Sequence, residues 1–443
     1  MADMIKTSTG ILTLKVSLLA QEDPTQVELK LERFEEGQNI LQNDWRVMAA
    51  DIGVAAAVDR GDMPLTLPEP ILADLAGAVG AAAVDDHRQE PLWLHFAKPY
   101  GMIGGLDWET QLSQAAARPV FRLPDFLENI RVHPPEIRAA IVCDLPTDEP
   151  VFDVVGSVFN MFSVLQAGAG FRPLHIDIFV AEIFQADLTT ALQGAPVQVH
   201  AAPETGGGWL EWISQATAGQ CIDWLQFICH ADTTDLSPSL AFTRGPCAQN
   251  SRLTASYISP GELARFLDSA SAWGCGFAAP PDGAAALRLF ADAAAQARAG
   301  PVLFQDIGRA AWSDELNERL ACLFHPGVRD MMLAPNPGGF LYVQPERLGL
   351  TLRQPAPPVL DLKSAIWETV AAAPSPPAEQ PAWAVSADMF LTAARRDWGL
   401  AEKIGAVMAE PDAAPREPVS VAEDTLKALE QLTITAAEQE GAR

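Results

Sequence analysis

Basic residues are scarce in this chain, and the scarcity argues against one broad class of function. The 443 residues contain 30 Lys+Arg against 57 Asp+Glu, a formal net charge of −27 at pH 7. Such a surface repels phosphate backbones, so we expect no nucleic-acid partner. It favours basic proteins or basic peptide segments instead. Acidity also keeps a protein soluble, and that simpler interpretation is open at this point.

Paired cysteines and long apolar runs are missing as well. No C-x-x-C pair occurs, which argues against a zinc ribbon or a thioredoxin-type motif. No stretch approaches the roughly 18 uninterrupted apolar residues of a membrane span. The opening MADMIKTSTGILTLKV lacks the basic head, apolar segment and cleavage site of a secretory signal. We therefore expect a cytoplasmic protein with free thiols. The cysteines stand at positions 143, 221, 229, 247, 275 and 322.

Phosphate-binding loops are absent as well. Gly104-Gly105 and Gly206-Gly207-Gly208 belong to neither a G-x-x-x-x-G-K-[ST] nor a G-x-G-x-x-G pattern, so nucleotide binding is not supported. We expect no cofactor and no metal ion.

Short apolar runs alternating with helical patterns fill the middle of the chain. Strands are expected at 137–143, 174–180, 197–200, 223–230, 273–277 and 302–306, with helices at 152–165, 185–192, 209–216, 260–271 and 284–299. This alternation predicts an α/β fold with a mostly parallel sheet flanked by helices. We assign it to residues 134–351.

The two ends of the chain have other patterns. Residues 1–133 predict an α+β subdomain with a hairpin at 8–34, helical spacing at 42–86 and extended segments at 92–96 and 119–124. Residues 352–443 contain the proline-rich stretches 354–358 and 373–377 and isolated helical segments, which predicts a linker and a helical or disordered tail. Protein partners are expected to bind this tail.

Two residues of the α/β half are candidates for chemistry. His230 ends the apolar run 224–230, and Cys275 lies in the run 273–277. If the two strands are parallel neighbours, imidazole and thiol come near the same edge, where open α/β sheets place their sites. His230 would then be the general base and Cys275 the nucleophile. Each also has a structural interpretation, as a hydrogen-bonded strand-end histidine and as a small apolar filler.

Several short motifs, in this order, resemble CHAT domains, the bacterial caspase-like cysteine peptidases. Pro91-Leu92-Trp93-Leu94-His95-Phe96, Leu106-Asp107-Trp108-Glu109 and Pro119-Val120-Phe121-Arg122 are similar to an apolar strand, an "lPWE" motif and a strand ending in Arg. Ile228-Cys229-His230-Ala231 is similar to the family's "cHG" motif. The resemblance covers roughly residues 10–330. It implies a caspase-like fold, a cysteine endopeptidase of bacterial defence or regulated proteolysis, and an lPWE motif that packs the two halves together.

The chain also departs from the family pattern. The family's cysteine stands in an "aCxS" context at the end of its strand, whereas Cys275 is flanked by glycines. If the strand ends at Ala278 or Ala279, alanine occupies the nucleophile position. The sequence therefore leaves two functions open: an active peptidase, or an inactive CHAT-like scaffold that binds protein partners.

Three aspartates are candidates for binding substrate. Asp232 and Asp235 follow His230 in a polar turn, and Asp306 ends a late strand. A basic protein or peptide substrate would suit these carboxylates and the acidic surface. Turn formation and simple solvation are the alternative roles.

Overall fold

The computed structural model describes fourteen segments of the chain, which all precede residue 349. The predicted tail, 352–443, lies outside the described residues. No helix within the described segments is both long enough and apolar enough to cross a membrane. The segments are 11–19, 25–35, 38–53, 65–82, 91–98, 102–126, 136–145, 152–203, 208–217, 220–234, 237–246, 255–281, 283–324 and 338–348.

Within the described segments, fourteen strands join into one sheet, and most neighbours run parallel. They are β1 Ile11–Leu19, β2 Gln26–Glu35, β3 Gln38–Met48, β4 Leu92–Ala97, β5 Val120–Arg122, β6 Ile137–Asp144, β7 Leu174–Val180, β8 Val197–Val199, β9 Trp224–Thr234, β10 Ser237–Phe242, β11 Ser256–Ile258, β12 Gly274–Ala279, β13 Val302–Asp306 and β14 Gly339–Tyr342. Their order is β3-β2-β1-β4-β5-β14-β13-β12-β9-β6-β7-β8, and β10 and β11 extend from β9.

Eight α-helices among the described residues flank this sheet. They are α1 Glu69–Ala82, α2 Trp108–Ala116, α3 Val154–Ala169, α4 Glu182–Ala191, α5 Trp209–Thr217, α6 Pro260–Ser269, α7 Ala284–Ala295 and α8 Trp312–Phe324. Residues of α1, α2, α5, α6 and α7 belong to a first hydrophobic core, and residues of α3, α4 and α8 to a second. Strand residues alternate between the two cores, as the period of two requires. The predicted α/β class with a mostly parallel, helix-flanked sheet is confirmed.

The N-terminal strands belong to the same sheet as the α/β half. β5 pairs with β14 at Arg122 and Tyr342, and β14 pairs antiparallel with β13. Strands from both sides of the predicted boundary at residues 133 and 134 are therefore joined by main-chain hydrogen bonds. The boundary itself stays a prediction.

Several predicted elements differ from the observed ones. The hairpin is confirmed, with Ile11 opposite Phe34 and Leu19 opposite Gln26. The helical assignment at 42–86 is wrong over β3, because this segment completes an antiparallel ladder with β2. The helix of this region begins at Glu69. Neither α8 nor β14 was predicted.

Candidate functional site

His230 stands where β9 leaves the parallel part of the sheet. Up to Ile228 and Cys229, β9 lies between β12 and β6. Beyond them it pairs antiparallel with β10, where His230 is opposite Ala241. The prediction that the strand ends at His230 is therefore wrong, since β9 runs on to Thr234. The histidine is buried at the rim of the parallel strands.

The structure does not bring Cys275 to His230, which corrects the predicted dyad. Cys275 is level with Leu225, five positions before His230 on β9. At about 3.3 Å per residue the two backbones are separated by roughly 17 Å. Cys275 and Leu225 belong to the first core, whereas His230 shares its face of β9 with Trp224 and Ile228 of the second. The thiol and the imidazole thus lie far apart and on opposite faces.

The surroundings of Cys275 make its thiol unreactive. The side chain is fully buried, and burial raises the pKa of its thiol to about 11, although the nearby Arg298 guanidinium opposes the shift. Such a thiol is protonated and unreactive at neutral pH. The flanking glycines make room for a neighbour: a Cβ on Gly274 would lie 2.7 Å from the Trp224 ring, and one on Gly276 would lie 2.9 Å from it. Here the glycines permit close packing.

No described cysteine stands level with His230 on the strands beside it. β12 ends at Ala279, so an alanine stands at the end of this strand. A Cβ on Gly283 would lie 2.8 Å from the His230 Nδ1 atom, so the start of α7 packs against the imidazole. Cys143 is level with Ile228, and burial, together with the neighbouring Asp144, holds the pKa of its thiol well above the ordinary range.

The three predicted substrate-binding aspartates have separate positions. Asp232 is exposed and accepts a hydrogen bond from the Tyr257 hydroxyl at 3.1 Å. The Asp306 Oδ1 atom accepts from the Gly308 N–H at 2.8 Å, which is the role of a turn-forming aspartate. Asp235 lies outside the described residues. Asp306 ends β13, whereas Asp232 lies in the β9–β10 ladder beyond the parallel strands.

Asp144, at the end of β6, is a buried carboxylate that the sequence analysis missed. Its Oδ2 atom accepts from the Thr243 N–H at 2.6 Å, and its Oδ1 atom lies 3.2 Å from the Thr243 hydroxyl. The same hydroxyl accepts from the Trp209 indole N–H at 2.9 Å. Burial raises the pKa of Asp144 to about 7, although the hydrogen bonds from Thr243 oppose this. The chain Asp144–Thr243–Trp209 thus fastens α5 and the end of β10 to the sheet.

A small cleft opens beside this chain of hydrogen bonds. It lies between the start of α5, the β10–β11 ladder and the start of α6, and its volume is about 210 Å³. Apolar residues and two carboxylates share the lining, so the cleft is chemically mixed. Its lining residues are Gly208, Trp209, Leu210, Glu211, Phe242, Thr243, Ser256, Tyr257, Ile258 and Glu262.

The motif Leu106-Asp107-Trp108-Glu109 contributes to a buried ionic network. Arg122 Nε lies 2.6 Å from Glu109 Oε1, and Arg122 Nη1 lies 2.9 Å from Asp292 Oδ1 of α7. Both Glu109 and Arg122 are fully buried, and Tyr342 donates to Asp292 at 2.5 Å. Nearby carboxylates raise the pKa of Arg122 even though burial opposes it. The network therefore ties α2 and β5 to α7.

Two searches for similarity bear on this site. A scan against protein-family models and a search of curated proteins find no match to the chain. Within the described segments, no group of His, Cys, Asp and Glu side chains is arranged to hold a metal ion. The site must therefore be interpreted from its own geometry.

Proposed function

We propose that this chain is a caspase-like protein of the CHAT type that lacks a working Cys/His dyad and acts by binding protein partners. The observation that supports this most is the position of Cys275, level with Leu225 and on the face opposite to His230. A general base must come within hydrogen-bond reach of the proton it removes. A separation of roughly 17 Å along the strands does not permit that.

The likeness to CHAT domains has its own support. The sheet is mostly parallel and flanked by helices, a layout consistent with a caspase-like protein. Glu109 and Arg122, the charged residues of the two N-terminal motifs, form a buried ion pair and reach Asp292 in α7. This is the packing role that the resemblance implies for them. A bacterial origin, which the resemblance implies, and a cytoplasmic location, which fits the free thiols, belong to the same proposal.

The peptidase alternative would need a different register. To bring Cys275 level with His230, β12 would have to slip by five residues along β9. An odd slip turns every side chain of a strand to the other face, so Phe277 would leave the first core and its stacking on Phe227, 5.5 Å away, would be lost. A fully apolar strand of six buried residues resists this change.

Alkylation of the native protein tests the proposal. We expect iodoacetamide to modify Cys275 slowly at neutral pH, measured by mass spectrometry of quenched samples. The rate should be equal in wild type and in His230→Ala, because the imidazole does not contact the thiol. The exposed Cys221 provides the internal control for a reactive surface thiol. Fast labelling of Cys275 that His230→Ala abolishes would favour the peptidase.

A further inference from the structure

The cleft beside α5 has the size of a site for one side chain. Its volume is about 210 Å³, below the roughly 300–1,000 Å³ of pockets that enclose drug-sized ligands. A ligand seated here must therefore enter with a single side chain or a group of similar size. A segment of a partner protein can offer such a side chain while the rest of it stays outside.

The inner wall of the cleft is apolar and fixed. Trp209, Phe242 and Ile258 line it, and each is buried in the first core. The hydrogen bond from the Trp209 indole to Thr243 holds the ring in one orientation. Thr243 is held in turn by Asp144. Such a wall suits a methylene stem, which gains free energy when it leaves water.

The rim of the cleft is anionic. Glu211 and Glu262 line it, and none of the ten described residues that line it is basic. Hydrogen bonds from the backbone and hydroxyl of Ser259 lower the pKa of Glu262, so its charge is present at neutral pH. Arg265 lowers that pKa further but does not line the cleft. The Glu211 carboxylate accepts from Gln215, a neutral donor.

We infer that this cleft binds the side chain of a lysine or arginine from a basic segment of a protein partner. These side chains combine an apolar stem with a cationic head, and the cleft combines an apolar wall with two carboxylates. A net charge of −27 attracts a basic partner over longer distances. The inference rests on the proposed function, because it names the chemistry of the partner.

Titration of the full chain with small amides tests the inference. The protein is labelled with 5-fluorotryptophan, and the Trp209 fluorine resonance is assigned from its loss in Trp209→Phe. Acetyl-arginine amide is compared with acetyl-citrulline amide, which has nearly the same shape without the charge. We expect the arginine amide to shift the Trp209 resonance with a saturating titration and the citrulline amide to bind at least tenfold more weakly.

Matched glutamine variants test the role of the two carboxylates. Glu262→Gln keeps the capping box, since Gln also serves at that position, and Glu211→Gln keeps an acceptor for Gln215. We expect each to weaken arginine-amide binding about threefold and the double variant about tenfold, as befits partly exposed ion pairs. Glu182→Gln makes the same charge change at an exposed helix start outside the cleft and should leave the Kd unchanged.

Three results would overturn the inference. They are an equal response of Trp209 to both amides, a shift confined to other tryptophans, and a double variant that binds as tightly as Glu182→Gln. The alkylation experiment on the same protein separates this failure from that of the proposed function. If Cys275 is unreactive and Trp209 does not respond to the arginine amide, only the inference about the cleft is contradicted. If Cys275 is reactive and Trp209 does respond, only the proposal that the chain lacks a working dyad is contradicted.

Discussion

At the scale of single residues, the glycines beside Cys275 show how packing can resemble a site. Gly274 and Gly276 lie against the indole of Trp224, whose N–H bonds to the Gln226 side chain at 3.2 Å. A glycine in a strand indicates close approach of another group, and sequence alone does not distinguish a substrate from an indole.

The tight fit at Gly276 predicts a large cost for one added methyl group. In Gly276→Ala, the new Cβ would meet the buried Gln226 and Trp224 side chains, so we expect a loss of about 2–3 kcal/mol in the free energy of unfolding. Gly80→Ala is the control, because nothing lies within 4 Å of its Cβ position in α1. It should stabilise by about 0.5–1 kcal/mol. Urea denaturation measures both, and equal midpoints would contradict the packing argument.

Asp144 predicts a specific pH dependence of stability. Its pKa is raised from 3.8 to about 7 in the folded protein, so between these values the folded state retains a proton that the unfolded chain releases. Stability from this group is therefore present at low pH and lost as the pH rises through about 7. Relative to Asp144→Asn, wild type should lose roughly 2–3 kcal/mol from about pH 5 to about pH 8.

Urea denaturation at several pH values measures this difference. Asp187→Asn, at an exposed position of α4, makes the same chemical change and should show no such trend. A difference between wild type and Asp144→Asn that stays flat over this pH range would contradict the assignment.

At the scale of elements, prediction from sequence succeeds where one pattern dominates. The strands β6, β7, β9, β12 and β13 of the α/β half were found because short apolar runs bounded by turn residues have few alternatives. β3 was missed because its alternation is mixed with Gln, Asn and Asp, and its strand state depends on the ladder with β2. The dyad was wrongly predicted because register is a tertiary property: placing two strands side by side does not say which residues are level.

The ionic network around Arg122 is a contact between elements that the sequence motifs did indicate, because the resemblance implies that the lPWE-like motif packs the two halves together. In Arg122→Met, Asp292 would remain buried without this cation, and Glu109 would keep only its ion pair with Arg288. Removing one partner of a buried pair costs about 3–5 kcal/mol, and we expect a loss of that size in urea denaturation. Arg46→Met removes the more exposed partner of Glu28, 3.0 Å away, and should cost less than about 1 kcal/mol. Similar losses in the two variants would contradict the role of the network.

At the scale of the molecule, the joined sheet predicts one cooperative unit. β1, β4 and β5 connect through β14 and β13 to the parallel strands, and the first core contains residues from both sides of residue 133. Opening the N-terminal strands alone would expose that core and would break the Arg122–Asp292 ion pair. The sequence indicated two halves because their patterns differ, but the pairing of β5 with β14 carries no local signal.

Native-state hydrogen exchange tests this cooperativity. In rising urea, amides of β1 and β4 should reach the same opening free energy as amides of β6 and β9, because one transition exposes all of them. Arg122→Met offers the sharper comparison, since it weakens the network that joins the two halves. If β1 and β4 opened well below β6 and β9 in wild type, residues before 134 would form a separate folding unit. If they did so only in Arg122→Met, the buried ion pairs would be what makes the two halves unfold together.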